Sequence, residues 1–462
     1  MTANTTSANS QSKGHLLRIV GVGFGIAVSI GGTVGSGILR TPGEIAAQLR
    51  SPWLILSVWV FGGIYAFFAT LVVVELATTL PREGGWYVYS REAFGEYAGF
   101  LVGSCDWMMQ IVAISYLAVA FGEFAAGLLP GLARHAKLAS VACVVVLTFL
   151  NWLGLKVGSR AQEITSLIKA LALLAFVGAC FVVSPKETAL PATALSSSHV
   201  SVLLALVIAL QAVIVTYDGW YSAIYFMEED RDPAKNLPRS AIGGVLACIA
   251  IFVLVNAALL HVLPMGQLAG SQVPAADAAA LIVGSHGRQF ILVISLITVV
   301  STINALLMIT PRILFAMSRD RLLPQWMTAV NTGGTPTGAL LAGALVVIAL
   351  VLSGSFDALI AIASVLFVTI YISGFVALLW LRVRRPELVR PFKIWGYPWT
   401  VWGVLLISVA FLVGAVVGDL MHSLFTVILI AASYPVYFLA VKKRSAGKAD
   451  GEIPTLTGAE AD

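Results

Sequence analysis

The chain has 462 residues, 59% of them hydrophobic and 11% charged, with a formal net charge of +5 and a mean hydropathy of +0.92. A soluble globular chain carries about 25% charged residues, so the composition excludes a soluble fold and predicts an all-α, polytopic membrane protein. Cys105, Cys143, Cys180 and Cys248 stand singly in apolar stretches without a Cys-x-x-Cys pair. They read as small buried hydrophobes, neither a disulfide framework nor a metal site.

Residues 1–15 are polar and lack the basic start and cleavage site of a signal peptide, so they predict a disordered cytoplasmic N-terminus ahead of a retained first helix. Apolar segments of spanning length fall at about 18–39, 53–80, 98–129, 138–155, 160–184, 200–228, 239–263, 289–318, 337–353, 356–381, 397–417 and 420–441. These predict 12 transmembrane helices, the fourth and ninth short, the third and eighth long. With both termini cytoplasmic, 21 Lys and Arg fall on the cytoplasmic side and 6 on the other, the asymmetry that orients membrane proteins. Residues 445–462 form a polar tail expected to be disordered.

The first span holds Gly31-Gly32-Thr33-Val34-Gly35-Ser36-Gly37. Each glycine costs up to about 1 kcal/mol of helix stability relative to Ala. One reading is a break in the helix, whose unpaired N–H groups face an anion such as a substrate carboxylate near the membrane midplane. The other is a seam of small residues that lets helices pack closely.

The second span ends in Glu75-Leu76 and Pro81, followed by Gly84-Gly85-Trp86-Tyr87-Val88-Tyr89 and Ala93-Phe94-Gly95. This run resembles the first cytoplasmic loop of the amino acid–polyamine–organocation superfamily, and Gly35-Ser36-Gly37-Ile38 resembles its first-helix substrate motif. Physically, the loop reads as a short amphipathic stretch with Trp86, Tyr87 and Tyr89 at the membrane interface. Glu75 reads as an interfacial carboxylate near the helix end in preference to a substrate contact. Asp106 and Glu123 lie toward the ends of the third span, within reach of water, and read as structural, although intramembrane acids are functional candidates by default.

Lys169 lies about ten residues into the fifth span, at a cost on the order of 3 kcal/mol. Similar lysines occur here in L-type amino acid exchangers. The resemblance implies an ammonium bridging the first and eighth helices, where sodium-coupled relatives of the fold bind sodium. The sixth span carries Val215-Thr216-Tyr217-Asp218-Gly219-Trp220, a second helix breaker with a charge attached, and the Glu228-Glu229…Asp232-Pro233…Lys235-Asn236-Leu237-Pro238-Arg239 run that follows resembles the same loop in L-type exchangers. Ser301 and Thr302 in the eighth span either bond their own backbone at i−4 or sit against the Lys169 ammonium. Ser364, Thr369 and Tyr371 are expected to shape a side-chain pocket.

Two broken helices five spans apart predict an inverted repeat. The resemblance implies a leucine-transporter-type fold with a 5+5 inverted repeat and broken helices 1 and 6. Its first half is 16–184 and its second 200–381, with 395–441 as scaffold. It implies a secondary transporter in the cell membrane, sodium-independent and specific for neutral amino acids, working by proton coupling or exchange. The alternative is an antiporter of cationic amino acids or polyamines, with Asp218 facing the cation. Substrate contacts are expected at Thr33, Val34, Gly35, Ser36, Gly37, Val215, Tyr217, Asp218 and Trp220, and coupling at Lys169, Ser301 and Thr302. The expected partners are an amino acid and the lipid bilayer, with no nucleic acid, cofactor or metal; nothing in the sequence identifies a partner subunit. An enzyme finds no support, because His15, His135, His199, His261, His286 and His422 stand singly without metal spacing. Gly21-x-Gly23-x-Gly25 follows no strand and is no dinucleotide site. A sensor would append a soluble output domain, and both tails are short.

Overall fold

The computed structural model describes residues 16–182, 202–353 and 356–418, with scattered positions between 420 and 439. The expected polar ends, much of the twelfth expected span and the side chain of Ser364 lie outside the described residues. The described chain is helical, with no strand beyond two isolated bridges, Val20 with Asp230 and Val330 with Pro336. The helices are α1 (Val22–Thr33), α2 (Gly37–Leu49), α3 (Pro52–Thr79), α4 (Trp86–Phe94), α5 (Glu96–Leu128), α6 (Ala136–Trp152), α7 (Leu155–Val182), α8 (Val202–Tyr217), α9 (Pro233–Val262), α10 (Met265–Gly270), α11 (Pro274–Val283), α12 (Gly287–Arg319), α13 (Thr337–Ser353), α14 (Phe356–Arg384) and α15 (Trp399–Gly418).

Among the described residues nine helical stretches are long and apolar enough to cross a membrane, and α1 with α2, bent by 46°, makes a tenth. As the sequence predicts, α5 and α12 are long, at 33 residues each, and α6 and α13 short, at 17. Proline sets several starts. Pro52, Pro233 and Pro274 each stand in the first helical turn, where the missing N–H has no partner to lose. The first expected span stops too early at about residue 39, because α2 runs on through Arg40 to Leu49. The helices α10 and α11 fill an interval that the span pattern leaves unassigned.

In the apolar stretches of α3 and α12, 67% of residues are buried, against 28% in those of α6 and α15. The first pair is therefore central and the second peripheral, facing lipid. Against α1 pack α7, α9 and α12, while α8 packs against α2 and α3. Hydroxyls in the buried helices return bonds to their own backbone: Thr70 to the Ala66 carbonyl, Ser115 to Ile111 and Thr302 to Thr298. That satisfies them in a medium without water.

Three expectations between Glu75 and Asp106 are corrected: the interfacial placement of the aromatics, the water access of Asp106 and the interfacial placement of Glu75. Trp86, Tyr87 and Tyr89 do not lie at an interface; all three are at most 1% exposed. Gly84 and Gly85 adopt φ of +112° and +52°, turning the chain inward. A Cβ on Gly85 would stand 2.6 Å from the Tyr225 ring. Trp86 then packs edge-on against Tyr221, at 5.5 Å, and Trp220, at 6.3 Å. Asp106, expected within reach of water, is fully buried; Tyr225 Oη donates to it at 2.7 Å and Gln110 Nε2 at 3.4 Å. Glu123 is exposed. Glu75 is fully buried and accepts from Arg382 Nε (2.7 Å) and Nη2 (2.6 Å) and from the Ile394 N–H (2.7 Å). That cluster ties the end of α3 to α14 and to the chain after it.

Candidate substrate site

The glycine-rich stretch breaks the helix. α1 ends at Thr33, and Val34 leaves helical geometry with its N–H still donating to the Ile30 carbonyl at 2.9 Å. The Gly35 N–H turns back to the Thr33 carbonyl at 2.9 Å, and the first backbone bond of the next helix runs from Leu39 to Ser36 at 3.2 Å. Ser36 makes no side-chain cap. The N–H groups of Ser36, Gly37 and Ile38 therefore precede the hydrogen-bond ladder of α2, at the positive end of its dipole.

The second break follows Tyr217. Asp218 turns its N–H to the Val215 carbonyl at 3.1 Å, Gly219 takes φ +100°, and the chain continues as a 3₁₀ turn over Ser222–Phe226. The two breaks touch backbone to backbone. A Cβ on Gly219 would lie 2.6 Å from the carbonyl carbon and oxygen of Gly32, and one on Gly32 would lie 2.3 Å from Ser222 Oγ. Only glycine fits at this crossing, since each partner here is backbone or a pinned hydroxyl: Ser222 Oγ donates to the Gly219 carbonyl at 2.7 Å.

Beside the crossing lies a cavity of about 360 Å³. Thr33, Gly35, Ser36 and Gly37 of the first break line it together with Val215 and Asp218 of the second and Thr302 of α12. A Cβ on Gly35 would meet nothing within 4 Å, so that position opens onto space. The Asp218 carboxylate accepts a hydrogen bond from Tyr371 Oη.

Three of the expected positions, Val34, Tyr217 and Trp220, are not among the cavity-lining residues. The Val34 side chain is buried. Tyr217 turns toward α3, donating to the Trp59 carbonyl at 3.2 Å and packing with its ring tilted 60° against Phe252, centroids 4.8 Å apart. Trp220 belongs to the aromatic cluster around Trp86 and Tyr371. Sequence reasoning passed over Gln110, Tyr116, Tyr221 and Ser222, all of which line the cavity. The signal for α5 was available: Asp106, Gln110, Ala113 and Leu117 recur at helical spacing, with two polar residues in an apolar span.

Lys169 is fully buried on α7, and its Nζ donates to three carbonyls of the first break: Ile30 at 3.2 Å, Gly31 at 3.1 Å and Val34 at 2.8 Å. Three acceptors match the three donors of an ammonium. Its bonds go to these carbonyls and not to the Ser301 or Thr302 hydroxyls. Thr302 Oγ1 reaches the same Val34 carbonyl at 3.5 Å, while Ser301 Oγ lies 3.3 Å from Ser166 Oγ. The bridge to α12 therefore runs through the backbone of α1 and through Ser166. Around it, Gln162, Asn304 and Asn151 form a chain of amide bonds, each 2.8 Å. A Cβ on Gly31 would fall 1.8 Å from Gln162 Nε2, so that glycine admits the amide. No group of side chains suited to a metal ion occurs among the described residues.

The chain is 28% identical to the serine/threonine exchanger SteT of Bacillus subtilis (strain 168), covering 93% of this chain and 98% of that protein. It is 29% identical to the Asc-type amino acid transporter 1 of Mus musculus, over 94% and 83%. It is 27% identical to the branched-chain amino acid permease BcaP of Bacillus subtilis (strain 168), over 84% and 85%. Residues 25–437 match the amino acid permease family, from the helix that carries the first break to beyond α15, and the chain belongs to that family.

Proposed function

We propose that the protein is a secondary active transporter of small neutral amino acids in the cell membrane, working without sodium, by exchange or with protons. One observation carries this reading: a single cavity joins the unladdered N–H groups opening α2 to the Asp218 carboxylate across the crossing of two broken helices. The N–H groups suit a substrate carboxylate and the opposite side suits its ammonium. At about 360 Å³ the cavity is near the small end for ligand sites. The names of two relatives, a serine/threonine exchanger and a branched-chain permease, denote neutral side chains. The Ile30, Gly31 and Val34 carbonyls are occupied by Lys169, so the substrate ammonium falls to the Asp218 side. A fixed ammonium beside these carbonyls repels a sodium ion by about 4 kcal/mol at 4 Å and an effective dielectric of 20.

The twelve spans, the 5+5 repeat of 16–184 with 200–381, the scaffold at 395–441 and the cytoplasmic termini form part of this proposal. Supporting them are the two breaks and the cation asymmetry of the sequence. Asp218 also suits a cationic amino acid or polyamine; the neutral reading is preferred because the names of two relatives denote neutral side chains. Counterflow of a labelled amino acid panel in proteoliposomes tests the reading. Serine or a branched-chain amino acid entering equally with and without sodium supports it; entry of arginine or putrescine alone overturns it.

A further inference from the structure

The chain before α4 and after α8 forms a charged layer against the end of α12, buried at Glu83, Glu229 and Arg312 and partly exposed at Glu228 and Arg319. Glu229 and Arg312 pair through two bonds of 2.8 Å, at 0% and 2% exposure. Glu228 and Arg319 pair through two more of 2.8 Å. Glu83 is the third carboxylate and is also fully buried. It exchanges bonds with the backbone and side chain of Glu228: the Glu83 N–H donates to Glu228 Oε1 at 3.0 Å, and the Glu228 N–H donates to Glu83 Oε1 at 3.2 Å. Its other oxygen, Oε2, is buried with no hydrogen-bond partner among the described residues, as is Tyr89 Oη of α4.

Three carboxylates thus face two guanidiniums, each already doubly engaged with another glutamate. An ionised Glu83 would be an unpaired buried charge, costing far more than a neutral acid. We propose that Glu83 is a proton-binding site, protonated while this end of the transporter is sealed and ionised when the layer separates. The layer closes the end of α1: the Val20 N–H bonds the Glu229 carbonyl and the Arg231 N–H bonds the Val20 carbonyl, both at 3.2 Å. A cavity of about 560 Å³, lined by Arg82, Glu83, Tyr87, Arg91, Glu228 and Arg319 among others, reaches the layer from outside and gives a proton its route from water.

Charges on several sides bear on the direction, including Arg319, which interacts with Glu83, and Arg82, which acts on Glu228. Burial first, then the Glu229 carboxylate, push Glu83 well above the usual carboxylate range; Arg312 pulls it back less, and Glu228 adds to the rise. On the far side of the cavity Arg91 is paired with Asp320, which also accepts from Tyr87. A group whose acid form is favoured in the sealed state stabilises that state at low pH and ceases to do so as pH rises through the sealed-state value. Alkaline conditions therefore favour opening.

Infrared difference spectra of purified protein at neutral pH, parent minus Glu83→Gln, read the proton directly and need no substrate. A protonated-carboxyl C=O band present in the parent and missing from the variant is expected; identical bands overturn the proposal. Glu83→Asp, which keeps the acid, retains a shifted band and covers the case in which the Gln variant fails to fold. For the link to opening, which rests on the transport reading above, serine counterflow is followed at equal pH on both faces. The parent is expected to rise at least ~3-fold between about pH 6 and about pH 8, and Glu83→Gln to stay flat at the low-pH rate. An unchanged slope in Glu83→Gln overturns the link. Absent counterflow in the parent counts against the transport reading instead, while the infrared band still decides the proton.

Discussion

Replacing Lys169 by Met keeps the volume of the side chain and removes its three donors. The three carbonyls fare differently. The Ile30 carbonyl keeps the Val34 N–H at 2.9 Å and loses little. The Val34 carbonyl keeps only Thr302 Oγ1 at 3.5 Å. The Gly31 carbonyl keeps no bond among those described, because its i+4 donor, the Gly35 N–H, has gone to Thr33. One orphaned carbonyl costs about 1–3 kcal/mol and one weakened bond about 1 kcal/mol, together roughly 2–4 kcal/mol against the broken geometry. Removing the ammonium also removes its desolvation cost, so the fold survives while the break loses its hold. If binding requires that geometry, affinity falls by the same factor, roughly 30- to 700-fold. Equilibrium binding of labelled serine in detergent, with size-exclusion elution as the folding control, measures it. A folded Lys169→Met protein that binds within about threefold of the parent would refute the tether.

At the crossing, Gly219→Ala combines a positive φ, worth about 1–2 kcal/mol, with a Cβ driven into the Gly32 backbone; it is expected to abolish serine binding, and retained affinity would mean that the two breaks separate freely. Gly35→Val adds bulk where a Cβ meets nothing, so it should leave the melting temperature unchanged while lowering affinity at least ~10-fold; a melting-temperature loss without an affinity loss counts against the cavity as the site. Glu75→Gln weakens a buried cluster with Arg382 and Arg390 at a cost on the order of 3 kcal/mol, which thermal denaturation should register as a lower melting temperature with serine affinity intact. Cysteines introduced near Arg134 and near Arg231 should label from opposite faces of intact cells, Arg134 from outside; labelling of both from one face contradicts the proposed topology.

The sequence alone determined that the chain is a helical membrane protein, because hydropathy and charge sparsity are local sums that need no partner. It also located both breaks, since Gly31–Gly37 and Asp218-Gly219 violate helix preference within a few residues of themselves. Lys169 stood out for the same reason: a lysine deep in an apolar span carries its cost wherever the chain folds. What such a lysine holds is another matter, and only tertiary structure assigned it three carbonyls of α1 rather than the hydroxyls of α12. The aromatic positions misled for the same reason. Trp86 and Tyr89 have interfacial chemistry, but the left-handed turn at Gly84 and Gly85 carries them inward, and a turn's direction is felt only through what it packs against. Tyr217 and Trp220 sit within the second break in sequence, yet neither lines the cavity: Tyr217, closing α8, is held by the Trp59 carbonyl and Phe252, and Trp220, past the Gly219 turn, by Trp86 and Tyr371. Periodicity reports which face a residue shares with its neighbours along one helix. Which of those faces meets the substrate depends on the angle at which two broken helices cross, and that angle is fixed by contacts such as Gly32 on Gly219, almost two hundred residues apart in the chain.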